Sequence, residues 1–256
     1  MPFSSRSYVN RYIPSNRFPV GLKWLLIVNT GIFVLQYTLQ PSRIGAFLQN
    51  NFALVPAEVV QTFAVWQLVT YMFLHSTAQI SHILWNMLSL WMFGAELERL
   101  WGTARFLRFY FICGISAAVM VVVAAYLFGG VETTTIGSSG AVFGILMAYA
   151  LMFPDRTLLF GFLIPLKSKY FVMIIGAIVL LQSYSATFGR QATGIAVVAH
   201  LGGLLAGYLY LRGRKLQTQV RQPVISGYRD WKLRRAKKRF EVYLRKEDSK
   251  RGPWIH

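Results

Sequence analysis

Charge is scarce in this chain: 14% of its 256 residues are Asp, Glu, Lys or Arg, where an ordinary soluble domain carries nearer a quarter. Such a sequence lacks the polar surface needed to cover a soluble core of this size. Acids are scarcer still, nine against 27 Lys and Arg. None of the nine (Glu58, Glu96, Glu98, Glu132, Asp155, Asp230, Glu241, Glu247, Asp248) falls within an expected apolar span. Cys113 is the only cysteine, so no internal disulfide can form and the redox compartment stays open. The polar, basic first 20 residues lack the short apolar core and small-residue cleavage site of a secretory signal. There is no H-E-x-x-H zinc motif, no pair of aspartates in apolar surroundings, no repeat and no low-complexity tract.

What the chain has is apolar length: 55% of it is hydrophobic or aromatic. The long uncharged runs read as membrane spans, at roughly 22–40, 82–95, 106–128, 139–153, 170–188 and 195–212. The second and fourth are short for a hydrocarbon core. An all-α, six-helix membrane bundle is the expected fold class. Three regions follow: a cytoplasmic N-terminal segment 1–20, the helical domain 21–212 and a basic tail 213–256.

Charge placement supports an even number of spans. With both termini in the cytoplasm, 25 of the 27 basic residues lie on that side and only Arg43 and Arg190 lie outside, as the positive-inside rule requires. The formal charge of +18 raises the question of nucleic acid, but 15 basic residues cluster in 212–256, beside the last span. That placement fits an anchor on anionic lipid and not a nucleic-acid surface. Within the tail, Arg229 to Lys246 is expected to form a basic helix with Trp231, Phe240, Tyr243 and Leu244 as its apolar contacts.

The connection 41–81 holds Phe47, Leu48, Phe52, Leu54, Trp66, Leu68, Tyr71 and Phe73, with Arg43 and Glu58 as its only charges. It is expected to lie partly embedded at the outer interface; an extra short span or re-entrant hairpin is the alternative.

Ionisable and polar groups at membrane depth are expensive and usually functional. Three histidines, His75, His82 and His200, lie near the outer face. Gly137-Ser138-Ser139-Gly140 opens the fourth span, where glycines let a substrate backbone approach a hydroxyl and free helix N–H groups can stabilise an oxyanion. In isolation, such a start is more often simple packing or capping. Ala199-His200-Leu201-Gly202-Gly203 lies in the sixth span. Gly140 with Gly144, and Gly203 with Gly207, form small-xxx-small pairs that let two helices approach closely. One turn of offset would bring His200 within reach of Ser139, as a serine nucleophile and its base require. With no acid in a span, the expectation is a dyad, its imidazole fixed by packing. Phe143, one turn beyond Ser139, is placed to stack on His200 or to serve as apolar bulk. His82-x-x-x-Asn86 puts two further polar groups on one helix face, suited to an oxyanion hole or, for Asn86, to interhelical hydrogen bonding.

In their order and spacing these residues resemble the rhomboid family of intramembrane serine proteases. The resemblance runs over Trp66-Gln67-Leu68-Val69-Thr70-Tyr71-Met72-Phe73-Leu74-His75, His82-x-x-x-Asn86, Gly137-x-Ser139-Gly140 and Ala199-His200-x-x-Gly203, covering roughly 20–212. It implies Ser139 as nucleophile, His200 as general base and acid, and an oxyanion hole of His82, Asn86 and the Ser139 N–H. Gly137, Gly140, Phe143 and Gly203 support them. It implies single-span protein substrates with small residues and helix breakers near the cut, a mobile fifth span, and no cofactor or metal. The expected setting is the inner cell membrane. One departure is visible: many members carry Trp-Arg where this chain has Trp66-Gln67, which puts the first loop's polar network in question. Rival readings are a silent relative that binds transmembrane clients, a channel or transporter, and a metal site built from His75, His82 and His200.

Overall fold

Helices dominate because apolar runs that cannot leave backbone polar groups unpaired close them internally. The computed structural model describes residues 18–40, 42–160, 164–188 and 197–213. Expectations for the first 17 residues, for Arg190 and for the basic tail, with its helix from Arg229 to Lys246, lie outside the described residues. Among the described residues, six long helices carry the fold: α1 (Val20–Leu39), α5 (Ile80–Trp101), α6 (Thr103–Phe128), α7 (Ser139–Met152), α8 (Ser168–Phe188) and α9 (197–213). Between α1 and α5 lie three short helices, α2 (Arg43–Phe52), α3 (Pro56–Gln61) and α4 (Gln67–Thr70), and a 3-10 turn at Tyr71–Phe73. The chain divides into two compact units, Met1–Tyr210 and Leu211–His256; of the second, only residues 211–213 are described.

Among the described residues, α1 and α6 are long and apolar enough to cross a membrane. The outer surface is apolar as well: Trp24, Ile27, Trp85, Trp91, Val123, Leu127 and Met173 are all exposed. Patches of that extent are unlike the surface of a soluble monomer. Polar groups and small residues turn inward instead. α7 is the shortest of the long helices, at 14 residues, or roughly 21 Å. It packs against α5, α6 and α8, and nine of its residues are buried.

The helix that carries the second apolar run extends beyond it. α5 has 22 residues, against an expected end near 95, so Glu96 and Glu98 lie on the helix instead of beyond it. The reason is tertiary. Helix α1 starts with Pro19 as its cap and no capping side chain of its own, leaving first-turn N–H groups without partners. Glu98 is buried and accepts from Gly21 N at 2.8 Å and Leu22 N at 2.7 Å, while Thr103 Oγ1 donates to it at 2.6 Å. A carboxylate at a helix N-terminus also meets the positive end of the dipole. Gly102, at φ 79°, then makes the turn into α6 that a side chain would strain.

Among the described residues of the 41–81 connection, no helix is long enough to cross a membrane. Its longest helix, α2, has ten residues, about 15 Å, half a hydrocarbon core. It is tied down by polar contacts. An isolated bridge joins Leu54 to Thr135, and Ala57 N donates to Val131 O at 2.9 Å. Gln67 is fully buried; its Oε1 accepts from Val55 N at 2.9 Å and its Nε2 donates to Glu58 Oε2 at 2.5 Å. A polar network therefore exists around Trp66-Gln67, with an amide serving both a backbone donor and a carboxylate.

The α7–α8 connection holds a short antiparallel hairpin, β1 (Thr157–Phe160) with β2 (Ile164–Lys167), pairing Thr157 with Lys167 and Phe160 with Ile164. Its root is charged. Arg156 pairs with Glu96 at 2.7 Å, and Asp155 accepts from Lys169 at 2.9 Å and Lys167 at 3.2 Å. The two ammonium groups hold the Asp155 carboxyl below the usual carboxylate range. Ser168 Oγ donates to Phe153 O, closing the loop onto the end of α7.

Candidate active site

The site is built where α7 and α9 come closest, and glycine sets that distance. A Cβ on Gly203 would lie 1.8 Å from Gly140 O, and one on Gly207 would lie 2.8 Å from Gly144 O. On α7, a Cβ on Gly144 would lie 2.5 Å from Cys113 Sγ, and one on Gly140 would lie 2.5 Å from Ala117 Cβ on α6. Backbone therefore packs on backbone, the small-residue mode of membrane helices. Ser139 on α7 and His200 on α9 are brought together by that packing. His200 Nε2 lies 2.8 Å from Ser139 Oγ, normal hydrogen-bond length. The imidazole stacks on Phe143, with ring centroids 4.4 Å apart and planes 15° from parallel. Among the described residues no group hydrogen-bonds His200 Nδ1. The ring is oriented by Ser139 at one nitrogen and by Phe143 across its face.

Ser139 opens α7, so its N–H belongs to the first turn and has no carbonyl four residues earlier in the helix. Gly137 precedes it at φ 113°, and its N–H donates to Tyr71 O at 2.9 Å, which fixes the approach of the chain. Gly137 is needed for a second reason: a Cβ there would sit 2.7 Å from His82 Nε2. His82 and Asn86 both face the Ser139 cavity from α5. His82 Nδ1 faces Ser76 N at 3.4 Å, and Asn86 Nδ2 donates to His82 O at 2.8 Å. The cavity is about 620 Å³, lined near its polar end by Ser139, His200, His82 and Asn86. It continues between α5 and α8 past Trp85, Met92, Phe171 and Ile175. Its lining is polar at Ser139, His200, His82 and Asn86 and mostly apolar elsewhere, which suits an apolar ligand carrying a polar group.

His75 stands behind His82, its ring 5.3 Å away and edge-on. It is 1% exposed, and burial together with the neighbouring His82 lowers its pKa to about 4. Among the described residues no group of three His, Cys, Asp or Glu side chains is placed to hold a metal.

Of the residues singled out from the sequence, Ser139, His200, His82, Asn86 and Phe143 line this cavity, Gly137, Gly140 and Gly203 set backbone distances beside it, and His75 lines a separate pocket with Gln36 and Ser76. Two residues were passed over. Ser138 is fully buried and donates to Asn86 Oδ1 at 3.3 Å; its place beside Ser139 was the available signal. Tyr71 is fully buried, and its hydroxyl donates to Gly114 O at 2.7 Å, bracing the first loop against α6. An aromatic in an apolar loop gave no signal of that bond.

Comparison with known proteins gives a concordant result. The Rhomboid domain family model matches residues 62–214, which takes in each of the residues above. Rhomboid protease GluP of Bacillus subtilis is 33% identical over 56% of this chain and 25% of its own. The putative rhomboid protease YdcA of the same organism is 32% identical over 56% of this chain and 64% of its own. RHOMBOID-like protein 12, mitochondrial, of Arabidopsis thaliana is 27% identical over 75% of this chain and 57% of its own. The chain thus spans less than two thirds of the length of these relatives.

Proposed function

The chain belongs to the rhomboid family, and from that premise we propose that it is an intramembrane serine endopeptidase. The observation that carries the reading is the 2.8 Å contact between His200 Nε2 and Ser139 Oγ at the polar end of an otherwise apolar cavity. Ser139 attacks the scissile carbonyl while His200 Nε2 takes its proton. The oxyanion is met by the Ser139 N–H and by His82 and Asn86. The same proton passes from His200 to the leaving amine, and water then releases the acyl group from Ser139. With no partner for Nδ1 among the described residues and Phe143 across the ring, the reading is a dyad without an orienting carboxylate. The chemistry requires neither metal nor cofactor.

The six long helices are read as six spans, with both termini in the cytoplasm and the chain in a bacterial-type inner membrane. Residues 21–212 form the protease domain, 1–20 a cytoplasmic segment and 213–256 a tail held to anionic lipid. This arrangement puts Ser139 near the outer face and the charged root of the β1–β2 hairpin at the cytoplasmic face. Substrates are single-span proteins whose helix unwinds locally before its carbonyls can be attacked, and the cleft between α5 and α8 is their route in.

The direct test is cleavage of a single-span test protein in proteoliposomes, with the cut mapped by mass spectrometry. One cut near the outer end of the span, lost in Ser139→Ala and in His200→Ala, is the expected result. A folded wild type that binds the span without cutting it would move the assignment to a client-binding relative.

A further inference from the structure

We propose that Ser138 is a positioning residue for the oxyanion hole, holding the Asn86 amide in the one orientation that aims an N–H at the reacting carbonyl. This rests on the protease reading above.

The argument is a matter of donors and acceptors. A side-chain amide has one accepting end and one donating end, and only the donating end can serve an oxyanion. One neighbour of the Asn86 amide is His82 O, 2.8 Å from Nδ2. A carbonyl oxygen can only accept, so the nitrogen must face it. Oδ1 then faces Ser138, whose Oγ lies 3.3 Å away. An acceptor at that position requires Ser138 to donate. With both bonds in place, one N–H of Asn86 is spent on His82 O and the other is left for the cavity that Asn86 shares with Ser139.

Burial makes the arrangement matter. Ser138 is fully buried and Asn86 is 6% exposed, so water is not at hand to replace a lost partner, and an unpaired acceptor there is costly. Without Ser138, the Asn86 amide keeps only its bond to His82 O and is free to swing about it.

The test is a double-mutant cycle on kcat and KM for a single-span substrate in proteoliposomes. Ser138→Ala is expected to lower kcat on the order of 10-fold with KM within about twofold, a fraction of the effect of losing an oxyanion donor outright. In an Asn86→Ala background the same change is expected to alter kcat by less than about twofold, because the group it positions is gone. Equal losses in both backgrounds would assign Ser138 a structural role and overturn the proposal, as would an unchanged kcat in the wild-type background. Ser138→Cys, near-isosteric and a weaker donor, is measured in parallel and is expected to fall between Ser and Ala. Should Ser138→Ala fail to fold, Ser138→Cys carries the same cycle. A wild type that does not cleave overturns the protease reading and this proposal together; an active wild type without coupling overturns this proposal alone.

Discussion

Replacing Gly203 by alanine adds one methyl group at the place where α7 and α9 touch backbone to backbone. Its carbon would lie 1.8 Å from Gly140 O, whereas carbon and oxygen ordinarily approach no closer than about 3.3 Å. The obstacle is main chain and cannot rotate away, so the helices must part locally by ~1.5 Å. His200 Nε2 starts 2.8 Å from Ser139 Oγ. A shift of that size along the contact carries the pair beyond the ~3.5 Å limit of a hydrogen bond. Misplacement by about 1 Å costs on the order of 100-fold in rate, while overpacking costs about 1–3 kcal/mol in stability. Gly203→Ala is therefore expected to fold with a lower melting temperature and to cleave a single-span substrate about 100-fold more slowly. Gly31→Ala on α1 is the control, because a Cβ there meets nothing within 4 Å. Gly203→Ala protein retaining more than a fifth of wild-type activity would refute the claim that close packing of α7 on α9 sets the Ser139–His200 distance.

Other predictions follow from single contacts. Glu98→Ala strips the Gly21 and Leu22 N–H groups of their shared acceptor and should cost on the order of 3 kcal/mol, read as a drop in the thermal midpoint in detergent; Glu98→Gln should recover part of it. Gln67→Ala leaves Val55 N and the Glu58 carboxylate without their partner and should destabilise by ~1–3 kcal/mol, with faster proteolytic nicking in the 41–81 connection. Phe143→Ala removes the ring stacked on His200 and should lower kcat roughly 10-fold through a loosened imidazole, with KM nearly unchanged. The pKa of His75 is lowered to about 4, below its unfolded value, so between these two values the unfolded state binds the extra proton and stability rises with pH. Stability should fall as pH drops from about 6.5 towards 4, by up to ~3 kcal/mol, and His75→Phe should flatten that slope in denaturation midpoints.

Much of the helical layout is legible because apolar runs and glycine punctuation are local signals. The start of α7 at Ser139 follows from Gly137, and the encounter of Ser139 with His200 follows from the glycine spacings around each. What escaped the sequence was set between distant segments. The second span is expected to end near 95, yet α5 continues to Trp101 and buries Glu98 where α1 needs an acceptor 76 residues away in sequence. The same cause hid the network at Gln67: an amide in place of a guanidinium reads as a loss until Val55 N and Glu58 are seen on either side of it. The β1–β2 hairpin escaped because its strands have four residues each, with Leu158, Leu159 and Phe160 in one and Ile164, Pro165 and Leu166 in the other as unbroken apolar runs, so they lack the alternation that marks a half-buried strand. Ser138 was overshadowed by its neighbour; the Asn86 contact of one and the His200 contact of the other separate their roles.

The central claim is that Ser139 is a nucleophile activated by His200. Fluorophosphonate-probe labelling of the detergent-purified full chain tests it most directly, comparing wild type with Ser139→Ala, His200→Ala and Ser138→Ala. The expected result is labelling of wild type, loss in Ser139→Ala and His200→Ala, and modification at Ser139 still detected in Ser138→Ala. An unlabelled, well-folded wild type, or a probe attached to any residue other than Ser139, would contradict it.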